Sequence, residues 1–165
     1  MRDANVKQVE ELRVFARAAS NFGQDMSMDC RRGANECEEA YRAANFFRRM
    51  AEEKVRAAEQ RLDEAEAALD EYESRDHTDS EGRDHYDPAV AAALRANVQE
   101  ARQRLNEAKD DERIVQSYYI LVRQKADVLS NSLIASANHI SSAASRVYSQ
   151  VSAAADDIEH YNSVY

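Results

Sequence analysis

The chain has 165 residues and a formal net charge of -9, from 22 Lys plus Arg against 31 Asp plus Glu, with one Pro, three Gly, two Cys and no Trp. The negative surplus repels nucleic-acid phosphate and anionic membrane surfaces, and two Cys make no disulfide framework. Charged residues at 32% with few Gly and Pro point to an all-α chain of long helices.

The opening MRDANVKQVEELRVF is charged and lacks the apolar core of a signal peptide. A cytoplasmic protein is the default expectation, with export compatible if the route needs no cleaved signal. No stretch of about 20 apolar residues exists to span a bilayer. Asn5 with Gln8 forms a plausible capping pair, so the first helix is expected over about 5–73. Within it, small or apolar residues recur at Leu12, Ala16, Ala19, Gly23, Met26, Cys30, Gly33, Cys37, Ala40, Ala44, Phe47 and Ala51, then at Val55, Ala58, Leu62, Ala65, Leu69 and Tyr72. Steps alternating four and three keep one helix face toward a partner helix. The step from Ala51 to Val55 is four where three is due, which predicts a local unwinding there.

A polar, aperiodic stretch follows from Ser74 to Asp87, containing Gly82, and reads as the turn. It holds Asp76, His77, Asp79, Glu81, Asp84, His85 and Asp87. These types ligate metals, but their order matches neither an EF-hand nor a two-Cys, two-His zinc site. A solvated acidic turn without metal or other cofactor is the expectation.

Asp87 before Pro88 is a strong helix start, a capping carboxylate followed by Pro at the first helical position. The second helix is expected over about 88–162. Its seam runs through Leu94, Val98, Ala101, Leu105 and Ala108, is interrupted at Glu112, and resumes at Val115, Tyr119, Val122, Ala126, Leu129, Leu133, Ala137, Ile140, Ala144, Val147, Val151, Ala154, Ile158 and Tyr161. Two helices of about 70 residues, each about 105 Å at 1.5 Å per residue, then form one domain over 1–165, an antiparallel coiled-coil hairpin. If the turn centres near Ser80 and Glu81, facing residues have numbers summing to about 161 at equal rise on both helices. That places Leu62 near Val98 and Cys30 near Asn131. The alternative is a folded-back four-helix bundle, which a break at Gly23 or Gly33 would permit.

Chemistry-bearing constellations are few. Cys30 and Cys37 lie one heptad apart, too far to bridge within a helix, and read as small buried residues or as a thiol pair facing another chain. His139 and His160 have no acidic or Cys partner at catalytic spacing. There is no Gly-rich phosphate loop, nucleophile elbow or helical HExxH, so no enzyme is expected.

Two features exceed what one seam needs. Phe46-Phe47 and Tyr118-Tyr119 are adjacent pairs whose members point about 100° apart, so both of each cannot serve one seam. The belt they make with Ile114 and Val115 is either a wider local core or a docking face. The second feature is the stretch 129–155, where Arg146 is the only Lys, Arg, Asp or Glu among eight Ser and seven Ala. Its alternatives are tight packing inside the hairpin or burial by a second chain. Phe46, Phe47, Tyr118, Tyr119, Leu133, Ser142, Tyr148 and Ser149 are therefore the candidate partner-binding residues.

The pattern Val6-x5-Leu12-x2-Phe15 opening a long helix, with the polar turn entering Tyr86-Asp87-Pro88 and a second long helix, resembles small helical coiled-coil proteins associated with bacterial polymorphic toxins. These are similar to the helical-hairpin partners of type VII secretion. The resemblance is one of pattern over most of the chain, and the Trp-x-Gly turn of those partners has no counterpart here. It implies a non-enzymatic adaptor or targeting partner of a secreted toxin or secretion component. The alternative is a self-associating structural spacer or assembly component.

Overall fold

The computed structural model describes residues 2–75, 77–78, 81–82 and 85–164, with side chains from Val6 onward. Two helices make up the fold, α1 over Arg2–Ser74 and α2 over Pro88–Val164. Each is continuous, so Gly23 and Gly33 do not break α1 and the folded-back arrangement is not adopted. The helix start differs from the expectation at Asn5: α1 already begins at Arg2, which puts Asn5 inside the helix. α1 and α2 pack against each other in a helical hairpin that divides into two compact units. The terminal unit comprises 1–40 and 123–165, and the turn unit comprises 41–122.

Burial along α1 alternates four and three without interruption from Val9 through Ala16, Gly23, Ser27, Ala34, Tyr41, Ala44, Arg48, Ala51 and Val55 to Tyr72. This moves the sequence-derived seam by one residue at six places: Arg13, Ser20 and Ala34 join the alternation in place of Leu12, Ala19 and Gly33, which stay half-buried, and three further residues change places outright. Met26, Ala40 and Phe47 are exposed, and Ser27, Tyr41 and Arg48 take their positions. With those replacements no phase shift occurs between Ala51 and Val55. Apolar character misleads here because polar side chains such as Arg48 can bury their stems against a partner helix.

The phase shifts fall in α2 instead. Its seam keeps time from Ala91 to Ala126 and includes Glu112, which is half-buried. Ser130 then follows Ala126 by four residues where three is due, and Ala155 follows Val151 in the same way. Four-residue insertions of this kind unwind a coiled coil locally. They turn the expected seam residues Leu129, Ala154 and Tyr161 out to solvent and bring Ser130, Ala155 and Asn162 inward.

In the turn unit, register is set by charge. Glu59 pairs with Lys109 at 3.1 Å, Glu66 with Arg102 at 2.6 Å and Glu73 with Arg95 at 2.6 Å. Both series step by seven residues along their helices, as flanking positions of a heptad do. Pairing to Glu73 raises the Arg95 guanidinium above its ordinary value. Each of these flanking pairs sums to 168, while contacts across the seam sum to 160 for Tyr41 with Tyr119 and to 159 for Tyr72 with Asp87, close to the expected 161 or so. Between the helices lie Val55, Ala58, Leu105 and Ala108, with Leu62 against them.

The turn is closed by aromatic rings. Tyr72, His77 and Tyr86 gather with centroids 4.7 to 5.8 Å apart. The Tyr72 hydroxyl accepts the Asp87 N–H at 2.9 Å and donates to the Asp87 carbonyl at 3.0 Å. Asp87 caps α2 as its sequence predicts, its Oδ1 accepting the Ala89 N–H at 2.8 Å. The turn runs through Gly82 at a φ of 77°, a left-handed conformation that glycine adopts without steric cost.

The terminal unit is packed on small residues. Ala16, Ala137 and Ala155 are almost wholly buried. A Cβ on Gly23 would stand 2.1 Å from the Ala144 Cβ, so the helix backbones approach closely there. Near the chain ends, Arg13 reaches across to Asp156 at 3.1 Å and to Glu159. Those hydrogen bonds raise the Arg13 guanidinium above its ordinary value.

Candidate protein-docking site

A two-helix hairpin has one internal seam, and this one is lined mainly by small side chains. Among the described residues, eight of the twelve buried apolar positions are Ala, and no large side chain is fully buried. Apolar stabilisation scales with the area removed from water, so an Ala-rich seam places the larger side chains elsewhere. They stand outside: Phe47 is 62% exposed, Met50 50%, Ile114 55%, Tyr118 64% and Leu121 49%.

These five share one flank of the turn unit. Phe47 and Met50 of α1 line a single groove with Ile114 and Val115 of α2, bordered by Lys54 and Asp111. Tyr118 and Leu121 are four and seven residues beyond Ile114, which puts them on the same helix face. Lys54 and Asp111 join across the groove at 2.6 Å. The opposite flank is different in kind. Arg48, Glu52, Glu112, Arg113, Gln116, Ser117 and Ile120 line it, and Arg48 is bonded to Glu52.

The candidate partner-binding residues divide accordingly. Tyr119 is a seam residue: its ring lies 5.8 Å from that of Tyr41, the two hydroxyls are 3.2 Å apart, and the Arg48 guanidinium stands 5.2 Å from its centroid. Phe46 and Phe47 meet edge to face at 5.8 Å, both exposed, with Phe46 on the outer side of α1. Tyr118 is exposed. The belt therefore has a half-buried Tyr and Arg interior, with the two Phe and Tyr118 outside it.

Leu133, Ser142, Tyr148 and Ser149 belong to the terminal unit. Leu133 is half-buried and packs toward Gly33, whose added Cβ would lie 3.2 Å from Leu133 Cδ1. Ser142 is exposed, Tyr148 is 44% exposed, and the Ser149 hydroxyl donates to the Ser145 carbonyl at 3.0 Å. The same unit exposes Val14, Phe15, Phe22 and Val128, which sequence reading passed over. Phe15 and Phe22 are one heptad apart and off the seam, a signal that was available.

Cys30 and Cys37 are half-buried free thiols. Among the described residues no three His, Cys, Asp or Glu side chains gather to hold a metal ion, and the turn's Asp76, Asp79 and Asp84 lie outside those residues. No helix among them is long and apolar enough to cross a membrane. No protein family, curated protein or solved structure matches the chain.

Proposed function

We propose that this protein is a non-enzymatic helical adaptor that acts by packing its outward apolar side chains against other protein. The observation that carries this reading is the inversion of size across the hairpin. Ala fills the seam, while Phe46, Phe47, Met50, Ile114, Tyr118 and Leu121 face water on the turn unit. Contiguous exposed apolar surface with a charged border is the character of a protein interaction site. The partner class is the one implied by the resemblance to toxin-associated helical hairpins, a secreted toxin or a secretion component.

A self-associating coil is the second reading, and the one-sided placement of the apolar flank supports it. Solution mass separates the two when measured alone and after co-expression with the protein encoded beside it. An adaptor gains a heteromeric complex, whereas a purely structural coil keeps one homo-oligomeric mass. Replacing Phe46 and Tyr118 together by Ala is expected to weaken association at least tenfold with helicity unchanged. A collapse of the thermal transition with association intact would instead make the belt ordinary core.

A further inference from the structure

We infer that α1 has a second seat on α2, reached by an axial roll of about 50°, half the 100° between adjacent residues, in which Phe47 and Met26 enter the seam and Arg48 and Ser27 leave it. The inference rests on reading the apolar flank as a docking face, since the roll withdraws Phe47 from that face without a second protein. Two interleaved seams run along α1. Both use the small residues Ala16, Gly23, Cys30, Cys37, Ala44 and Ala51, all of them buried or half-buried. They differ at the other inward position of each heptad, where the occupied seat takes the residue one place after its rival: Ser27 after Met26, and Arg48 after Phe47. At Leu12 with Arg13, Ala19 with Ser20 and Gly33 with Ala34, both neighbours are turned inward, so at those levels α1 already sits between the two seats.

Apolar burial favours the unoccupied seat, which puts Leu12, Met26 and Phe47 where Arg13, Ser27 and Arg48 now stand. The shared residues are small, so no large knobs interlock to resist the roll. Phe47 has a short way to travel, since it already lines a groove with the seam residue Val115. In the terminal unit α2 carries the matching feature: exposed Leu129 and Tyr161 stand one place before the inward Ser130 and Asn162. Because the helices are antiparallel, a roll toward the earlier residue on each turns them in opposite senses, as meshed gears turn. Polar latches hold the occupied seat. Arg13 reaches Asp156 and Glu159 in the terminal unit. In the turn unit Arg48 is bonded to Glu52 and stands over the Tyr119 ring, whose hydroxyl meets that of Tyr41. Val55 and Ala58, packed with Leu105 and Ala108, serve both seats, and the four-residue step from Ala51 to Val55 takes up the change of phase. Two packings of one sequence that differ by a few contacts make a bistable element.

The chain has no Trp, so Phe47→Trp and Met26→Trp each supply a single fluorescent reporter, one in each unit. In these parent chains acrylamide should quench the indole freely, because both positions are exposed. Arg48→Glu is then added to the first and Ser27→Glu to the second. In the occupied seat each new carboxylate would be buried without a partner, which is strongly unfavourable, whereas after the roll it stands in water. The expected result is a quenching constant at least twofold lower, with full helicity by circular dichroism and no dependence on chain concentration. Unfolding would leave quenching unchanged or raise it, and that outcome overturns the proposal. A fall that grows with concentration would mean cover by another chain, and overturns it as well. If neither reporter is shielded while Phe46→Ala with Tyr118→Ala still weakens association, the roll is wrong and the docking face stands without a switch. If both reporters are shielded but that double substitution leaves association intact, the roll stands and the docking reading fails.

Discussion

At the residue scale, position decides what each side chain contributes. Gly23 and Gly33 are both helical, and Ala is intrinsically better in a helix by about 1 kcal/mol. Their surroundings reverse that preference at one site only. At Gly23 the new methyl meets the Ala144 Cβ at 2.1 Å, and overpacking of that kind costs about 1–3 kcal/mol. At Gly33 the neighbour is the mobile end of Leu133 at 3.2 Å. Gly23→Ala should therefore lower the melting temperature, while Gly33→Ala should leave it unchanged or raise it, as read by circular dichroism. Equal effects from both would mean that the helices do not approach closely at Gly23. Sequence reading took Phe47 for a seam residue and passed over Arg48 because it ranked positions by apolarity. Arg48 sits over the Tyr119 ring and bonds to Glu52, and such cation–π and ion-pair contacts satisfy a half-buried guanidinium.

At the element scale, the helices were legible and so was their register in the turn unit, where Tyr41 meets Tyr119 and Tyr72 meets Asp87. In the terminal unit Gly23 meets Ala144, a sum of 167 against the expected 161 or so. Asp87-Pro88 announced the start of α2 because capping is local chemistry, contained in two adjacent residues. Register depends on which residues close the turn. There the rings of Tyr72, His77 and Tyr86 draw together residues that carry no periodicity. The pairs of Glu59, Glu66 and Glu73 with Lys109, Arg102 and Arg95 were a further signal of the antiparallel pairing, since both series repeat every seven residues. Tyr72→Phe removes the hydroxyl that both accepts from and donates to Asp87, and loss of two such bonds costs about 1–2 kcal/mol. Asp87→Ala removes the cap, at about 1 kcal/mol. Either variant should accelerate amide exchange at Ala89 to Ala92 well before it affects the cluster around Val55 and Leu105. Unchanged exchange there in both variants would show that neither contact holds the start of α2.

At the scale of the whole molecule, the heptad pattern gave the helical hairpin because period is a property of sequence. The candidate docking residues were only partly separable from core, because the inward packing of Tyr119 and Leu133 depends on what α1 sets against them, Tyr41 and Gly33. The low-charge stretch of α2 carries its own prediction. Ser142→Glu with Ser149→Glu alters two exposed positions, so the isolated chain should keep its helicity. It should lose a heteromeric partner that covers this stretch, because the new carboxylates would be buried unpaired. Full partner affinity in that variant would remove the stretch from the interface. The central claim is that large apolar side chains lie outside the seam to be covered by another protein. Hydroxyl-radical footprinting of the assembled and dissociated chain tests it most directly, with Met50 and Tyr118 as reporters on one flank and Ile120 on the other. Protection of Met50 and Tyr118 on assembly, with Ile120 still reactive, is the predicted result; equal labelling of Met50 and Tyr118 in both states would contradict it.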